Sequence, residues 1–74
     1  MSIEVKVLEL PPFISRTEIE KFFPGVLTRA TLAKLASEGR GPRYMRLNGR
    51  RVVYRTHDLL EWLKKQGVEV HTHE

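Results

Sequence analysis

Five breaks limit what this chain can become: Pro11-Pro12, Pro24-Gly25, Gly39 with Gly41-Pro42, Asn48-Gly49, and Gly67. Proline ends a ladder or a helix, and glycine supplies the left-handed backbone that tight turns need. They cut 74 residues into six short stretches. That leaves room for brief helices and strands around one marginal core, and length excludes a second domain.

Each stretch has a readable period. Ile3, Val5 and Val7 alternate with Glu4 and Lys6, as in a half-buried strand over residues 3–8. Ser15-Arg16-Thr17-Glu18 has the form of a capping box, in which the Ser15 hydroxyl accepts from the Glu18 amide and the Glu18 carboxylate returns to the Ser15 amide. A first helix is expected from about Arg16 to Phe23, with Ile19, Phe22 and Phe23 inward. Thr28 is the next N-cap, and residues 30–37 read as a second helix whose core stripe is Leu32, Leu35 and Ala36. Residues 43–47 and 50–54 flank Asn48-Gly49 as a β-hairpin, with Arg50 a candidate extra loop residue. Thr56 or His57 opens a third helix, with Asp58 in its first turn, Lys64-Lys65 in its last, and Leu59, Leu60, Trp62 and Leu63 inward. The tail over 67–74 is either frayed or a strand, and a strand there could pair with residues 3–7 or with another copy.

The order strand, helix, helix, hairpin, helix is that of a small winged helix-turn-helix of α+β class: three helices and a two-stranded wing, with terminal strands as extras. The chain is read as one such domain over 1–74, its core spanning 13–66.

Charge is segregated on this frame. Residues 28–55 hold eight basic residues and one acid, a sum of +7, while the remainder holds five basic and eight acidic, a sum of −3. A small protein that gathers its cations this way presents a cationic face, and nucleic acid is the commonest polyanion to meet one. Most of these cations are arginine, whose planar fork suits phosphate oxygens and base edges. An apolar content of 41% fits a folded domain rather than a disordered basic tail. The absence of cysteine removes disulfides and thiolate metal sites, so a reducing cytoplasm is expected. No apolar run approaches the roughly 20 residues that span a bilayer, and the first ten residues lack the form of a signal peptide. No membrane partner is expected.

Several fragments together resemble a known family. They are Arg29-x-Thr31-Leu32-x-Lys34-Leu35, Glu38-Gly39-x-x-Pro42, Arg46-Leu47-Asn48-Gly49-Arg50-Arg51 and Asp58-Leu59-x-x-Trp62-Leu63. Their order and spacing are similar to those of the excisionase-like, MerR-type winged helix-turn-helix proteins, which include recombination directionality factors and AlpA-like phage regulators. The resemblance covers about residues 13–65. It departs from the family pattern at Pro24-Gly25-Val26-Leu27, at Ala33, and in about two extra residues before Asp58. It implies that the second helix enters the major groove of double-stranded DNA while the wing meets the adjoining minor groove or its phosphates. It further implies an excisionase that binds repeated sites near an attachment site, cooperatively and with DNA bending, to promote integrase-mediated excision of a mobile element. A transcription regulator using the same module at a promoter is the alternative. The partners this points to are DNA, further copies on the DNA and an integrase, in the nucleoid of a bacterium or a phage's host.

Within that frame the helix residues Thr28, Arg29, Ala30, Thr31, Lys34 and Ser37 are the candidate readers. Arg29, in the first turn, is placed for a guanine contact or a phosphate clamp. Thr28 serves chiefly as a cap, and Thr31 suits a phosphate or a thymine methyl. Lys34 can reach backbone or a base edge, and Ser37 and Arg40 face phosphate or solvent. In the wing and its flanks the candidates are Arg40, Arg43, Arg46, Asn48, Gly49, Arg50 and Arg51. Arg50, nearest the tip, is the choice for a narrow minor groove, which attracts arginine through its potential. Strand alternation keeps these arginines from sharing one face, so at least one is expected to pair with an acid. Tyr44 and Tyr54 serve as phosphate donors or as packing, and Trp62 as core.

No nucleophile-base pair, phosphate-cradling glycine loop or paired carboxylate suggests catalysis, so no enzyme and no cofactor are expected. His71-x-His73-Glu74, with lone His57, makes a poor metal site, and no metal is expected. A protein-protein adaptor is the reading from a different class, and it predicts weak, salt-insensitive DNA binding.

Overall fold

The strand over Arg51–Arg55 forms the middle of the protein, and the elements before and after it close around its inner face. The structure, a computed structural model, describes residues 2–6 and 10–73. In chain order the elements are β1 (Ser2–Lys6), β2 (Phe13–Ser15), a 3₁₀ turn (Arg16–Glu18), α1 (Ile19–Phe22), α2 (Arg29–Ser37), β3 (Met45–Leu47), β4 (Arg51–Arg55), α3 (Thr56–Lys65) and β5 (Glu69–His73). Strand β4 lies between β2 and β3 in an antiparallel three-stranded sheet, and β1 pairs with β5 in a separate parallel pair. The class is α+β, with three helices.

The core is drawn from two strands of the sheet, all three helices and the turn between α1 and α2. Ile14 of β2, Ile19 of α1, Phe23 and Leu27 of the α1–α2 turn, Leu32 of α2, Tyr54 of β4, and Leu59 and Leu63 of α3 form one buried cluster. Phe22, Leu60, Trp62, Val68 and Val70 pack half-buried against it. Trp62, expected as core, is therefore at its margin, where its indole N–H donates to the Arg40 carbonyl at 3.1 Å. That bond explains the position, because a fully sunk indole would leave its N–H without an acceptor.

Strand β2 is absent from the sequence reading, which gave the sheet two strands. Phe13, Ile14 and Ser15 pair with Arg55, Tyr54 and Val53. The first helix is also shorter than expected. Its Arg16–Glu18 segment is a 3₁₀ turn, and regular α-helix covers only Ile19–Phe22. The capping box does not form as drawn: Ser15 Oγ donates to Glu18 Oε1 at 2.8 Å, and no side chain caps a backbone amide there. Ser15 is still paired with β4, so the chain passes directly from strand to helix and tightens in between. At the other end Phe23 leaves the helical region, with φ −131° and ψ 60°, as a residue before proline tends to do.

The second helix starts where its cap predicts. Thr28 Oγ1 accepts from the Thr31 amide at 3.1 Å, which satisfies one of the four orphan donors of a helix start. Thr28→Ala is expected to cost about 1 kcal/mol. In a domain of this size that lowers the thermal midpoint by roughly 4–8 °C, measurable by circular dichroism.

Both longer helices stop in the same way. The Arg40 amide donates to the Leu35 carbonyl and the Gly39 amide to that of Ala36; Val68 and Gly67 repeat this with Leu63 and Lys64. This paired closure needs a left-handed residue, and Gly39 and Gly67 supply it at φ 72° and 86°. After Gly67 the chain enters β5, which runs parallel to β1 with Ser2 opposite Glu69 and Lys6 opposite His73. The terminal strands thus pair within the chain. The expected strand's residues 7 and 8 lie outside the described residues.

The hairpin loop has three residues, Asn48, Gly49 and Arg50, since Leu47 pairs with Arg51. Asn48 and Gly49 are both left-handed, at φ 53° and 73°, and the Arg50 amide closes the turn on the Leu47 carbonyl at 3.1 Å. The paired strands are correspondingly displaced from the expected 43–47 and 50–54 to 45–47 and 51–55.

Candidate nucleic-acid interface

Helix α2 turns its outer face to solvent because its inner stripe is fully used. Leu32 is sealed in the core, and Leu35 and Ala36 are half-buried beside it. At 100° per residue the opposite stripe carries Ala30, Ala33, Lys34 and Ser37, with Arg29 and Thr31 on its two flanks, and all six are exposed. Two alanines and a serine along this stripe let another surface approach the helix closely. Ser37 folds its hydroxyl back onto the Lys34 carbonyl at 2.7 Å, leaving only its acceptor side outward. Thr28 is spent on the helix: its hydroxyl donates to Thr31 Oγ1 at 2.8 Å while capping. The Arg29 amide donates to Glu20 Oε1 at 3.2 Å, so α1 already supplies a carboxylate to the positive end of α2.

The hairpin supplies the second group of cations. Arg46 pairs with Val52 and Leu47 with Arg51, and paired residues share a face of the sheet. Arg46 and Arg51 therefore project to opposite faces, and Arg50 sits in the loop between them. All three are exposed, as are Asn48 and Gly49. The acid partner expected for one of these arginines is not found. Among the described residues no wing arginine has an ion pair, and the arginine that does is Arg40, whose Nε and Nη2 donate to Glu38 Oε1 at 3.2 and 2.5 Å. An ion pair this exposed is worth little, so it moderates the Arg40 charge without holding it. Arg43 lies apart from the loop cations, in a shallow cleft with Tyr44, Met45, Arg55 and Asp58.

All thirteen residues singled out in the sequence are exposed. The structure gathers them as two groups: Arg29 to Ser37 along α2, and Arg46 to Arg51 on the hairpin. Between the two lies the 3₁₀ turn, which packs against both α2 and β4. It carries the residue that sequence reasoning missed. Arg16 lines a cleft of about 300 Å³ with Thr17, Arg50, Arg51 and Val52, and its Nε donates to Tyr54 Oη at 2.9 Å. In the sequence Arg16 is only the second letter of a capping box, and nothing nearby announces a partner 38 residues away. Tyr54, weighed between phosphate donor and packing, is buried and is that partner.

No group of His, Asp or Glu among the described residues could hold a metal ion. The side chain of His73 and all of Glu74, named in the metal reading, lie outside the described residues. No helix among the described residues is long and apolar enough to cross a membrane. Comparison with known proteins finds no family model that matches the chain, and no match among curated proteins or solved structures.

Proposed function

We propose that this protein is a winged helix-turn-helix DNA-binding factor in which α2 enters the major groove and the β3–β4 hairpin is the wing. The observation that carries this reading is the pairing of two exposed cationic devices on one small scaffold. One is a capped helix with a small-residue outer stripe flanked by Arg29 and carrying Lys34; the other is a tight hairpin whose arginines lack acidic partners among the described residues. A helix of this kind reads base edges, and a basic hairpin beside it adds backbone or minor-groove contacts. On the resemblance described above, the task is that of an excisionase: binding repeated sites near an attachment site, bending the DNA, and directing an integrase toward excision.

The test has two stages. Duplexes are first enriched from a random-sequence pool, and affinities for the enriched site and a scrambled control are then compared among variants. Arg29→Ala should shrink the ratio of the two affinities by about 5–150-fold, the value of one bidentate base contact. Arg51→Ala should weaken both affinities alike. Identical behaviour of the two variants would remove the division between reader and wing. The excision role is tested on DNA carrying repeated sites, where cooperative, bending complexes are expected; independent binding without a bend would leave DNA recognition standing and remove the excision role.

A further inference from the structure

The geometry points to a dedicated phosphate site on the flank of the wing, in which Arg16, Arg50 and Arg51 together hold one phosphodiester of the DNA backbone. This rests on the DNA-binding reading above, and it adds Arg16, which belongs to neither the recognition helix nor the wing.

Arg16 is held like a binding residue rather than a solvated cation. Its Nε donates to Tyr54 Oη at 2.9 Å. Its guanidinium carbon lies 5.7 Å from the Tyr44 ring centre and 5.8 Å from that of Tyr54. The two rings meet edge to face at 6.4 Å, so the side chain is braced by an aromatic pair. What the brace does not supply is an acceptor. Arg16 has no ion pair among the described residues, so the fold positions its guanidinium without supplying a counter-charge.

The surroundings say what that counter-charge is. The cleft that Arg16 lines is shared with Thr17, Arg50, Arg51 and Val52, and no carboxylate lines it among the described residues. Three arginines around one opening suit an oxyanion. A structural role alone, with Arg16 tying the 3₁₀ turn to the hairpin, accounts for the Tyr44 and Tyr54 contacts. It does not account for two further arginines lining the same cleft. Position then selects the oxyanion. The turn packs on α2 on one side and on β4 on the other, so a backbone passing from the major groove at α2 to the groove beside the wing crosses this cleft. Fixing one phosphate there sets the register of reader and wing together, as backbone contacts do in DNA complexes generally.

The test is a scan of the enriched duplex in which single phosphates are replaced one at a time by neutral methylphosphonates. It is read with the wild-type protein, Arg16→Gln and Arg51→Gln, after thermal melting has checked that each variant is folded. One backbone position is expected at which neutralisation weakens the wild type but leaves Arg16→Gln unaffected, and at which Arg51→Gln shows a reduced effect. Arg16→Gln should also bind enriched and scrambled DNA with equal fold-losses, and its slope of log K against log salt should be shallower by about 1. Should Arg16→Gln fail to fold, Arg51→Gln, altered at an exposed position, carries the same comparison. A folded variant that keeps the wild-type slope and the wild-type penalty at every position overturns the site while DNA binding stands. A wild type that does not bind DNA at all overturns the functional reading and this site with it.

Discussion

Leu59→Ala is expected to leave this protein only marginally folded. Leu59 is wholly excluded from solvent and joins a single cluster to which β2, β4 and all three helices each contribute one or two side chains. A leucine truncated in such a place costs about 2–5 kcal/mol, the transfer loss plus the cavity it leaves. The whole domain, at 0.05–0.15 kcal/mol per residue, has only about 4–11 kcal/mol to lose. Among the described residues no second core or metal cluster shares the burden, and the sequence has no cysteine to form a disulfide. The urea midpoint should therefore fall by about half, with the slope of the transition unchanged. Leu60→Ala, one residue on and half-buried, should cost distinctly less. Equal losses from the two would mean that α3 is held as much by its half-buried side as by the core.

That core was readable where a periodic pattern coincided with a local signal. Thr28 ahead of Ala30–Ser37, Gly39 and Gly67 behind their helices, and Asn48-Gly49 between basic strands each combine a turn or cap residue with a repeat, and each is realised. Features that depend on a distant partner were not readable. Phe13-Ile14-Ser15 is too short to show alternation, and it becomes a strand only because β4 offers an edge some forty residues later. Ser15 is therefore claimed by the sheet, and the capping box drawn on it gives way to a side-chain bond with Glu18. The tail was legible only as either frayed or a strand pairing with residues 3–7 or another copy, and its parallel pairing with β1 is a tertiary fact. The exposed cations of the interface follow from charge and period, whereas Arg16 required Tyr44 and Tyr54 to be brought together around it.

Raising salt fourfold, from 50 to 200 mM, should weaken DNA binding by about 10²–10³-fold, and the size of that fall follows from where the cations sit. Arg29 and Lys34 lie along α2, and Arg43, Arg46, Arg50 and Arg51 lie on or beside the hairpin, all exposed and without ion pairs among the described residues. Arg40 contributes only in part, because its exposed pair with Glu38 moderates its charge. Arg46 and Arg51 project to opposite faces, so both cannot meet the same stretch of backbone. With Arg50 and Arg51 sharing one phosphate with Arg16, that leaves roughly four phosphates neutralised by one protein, and each contributes about −0.9 to the slope of log K against log salt. A slope near −4 over a fourfold range gives the stated loss. Titrations at four or five salt concentrations, followed by fluorescence anisotropy of a labelled duplex, measure it directly. A slope shallower than about −1 would mean that the cationic face does not meet a polyanion in the complex. The adaptor reading, in which this face binds another protein, would then account better for an arginine-rich hairpin. A slope much steeper than −5 would instead require more cations than one copy exposes on these two elements, and would show that neighbouring copies bind together.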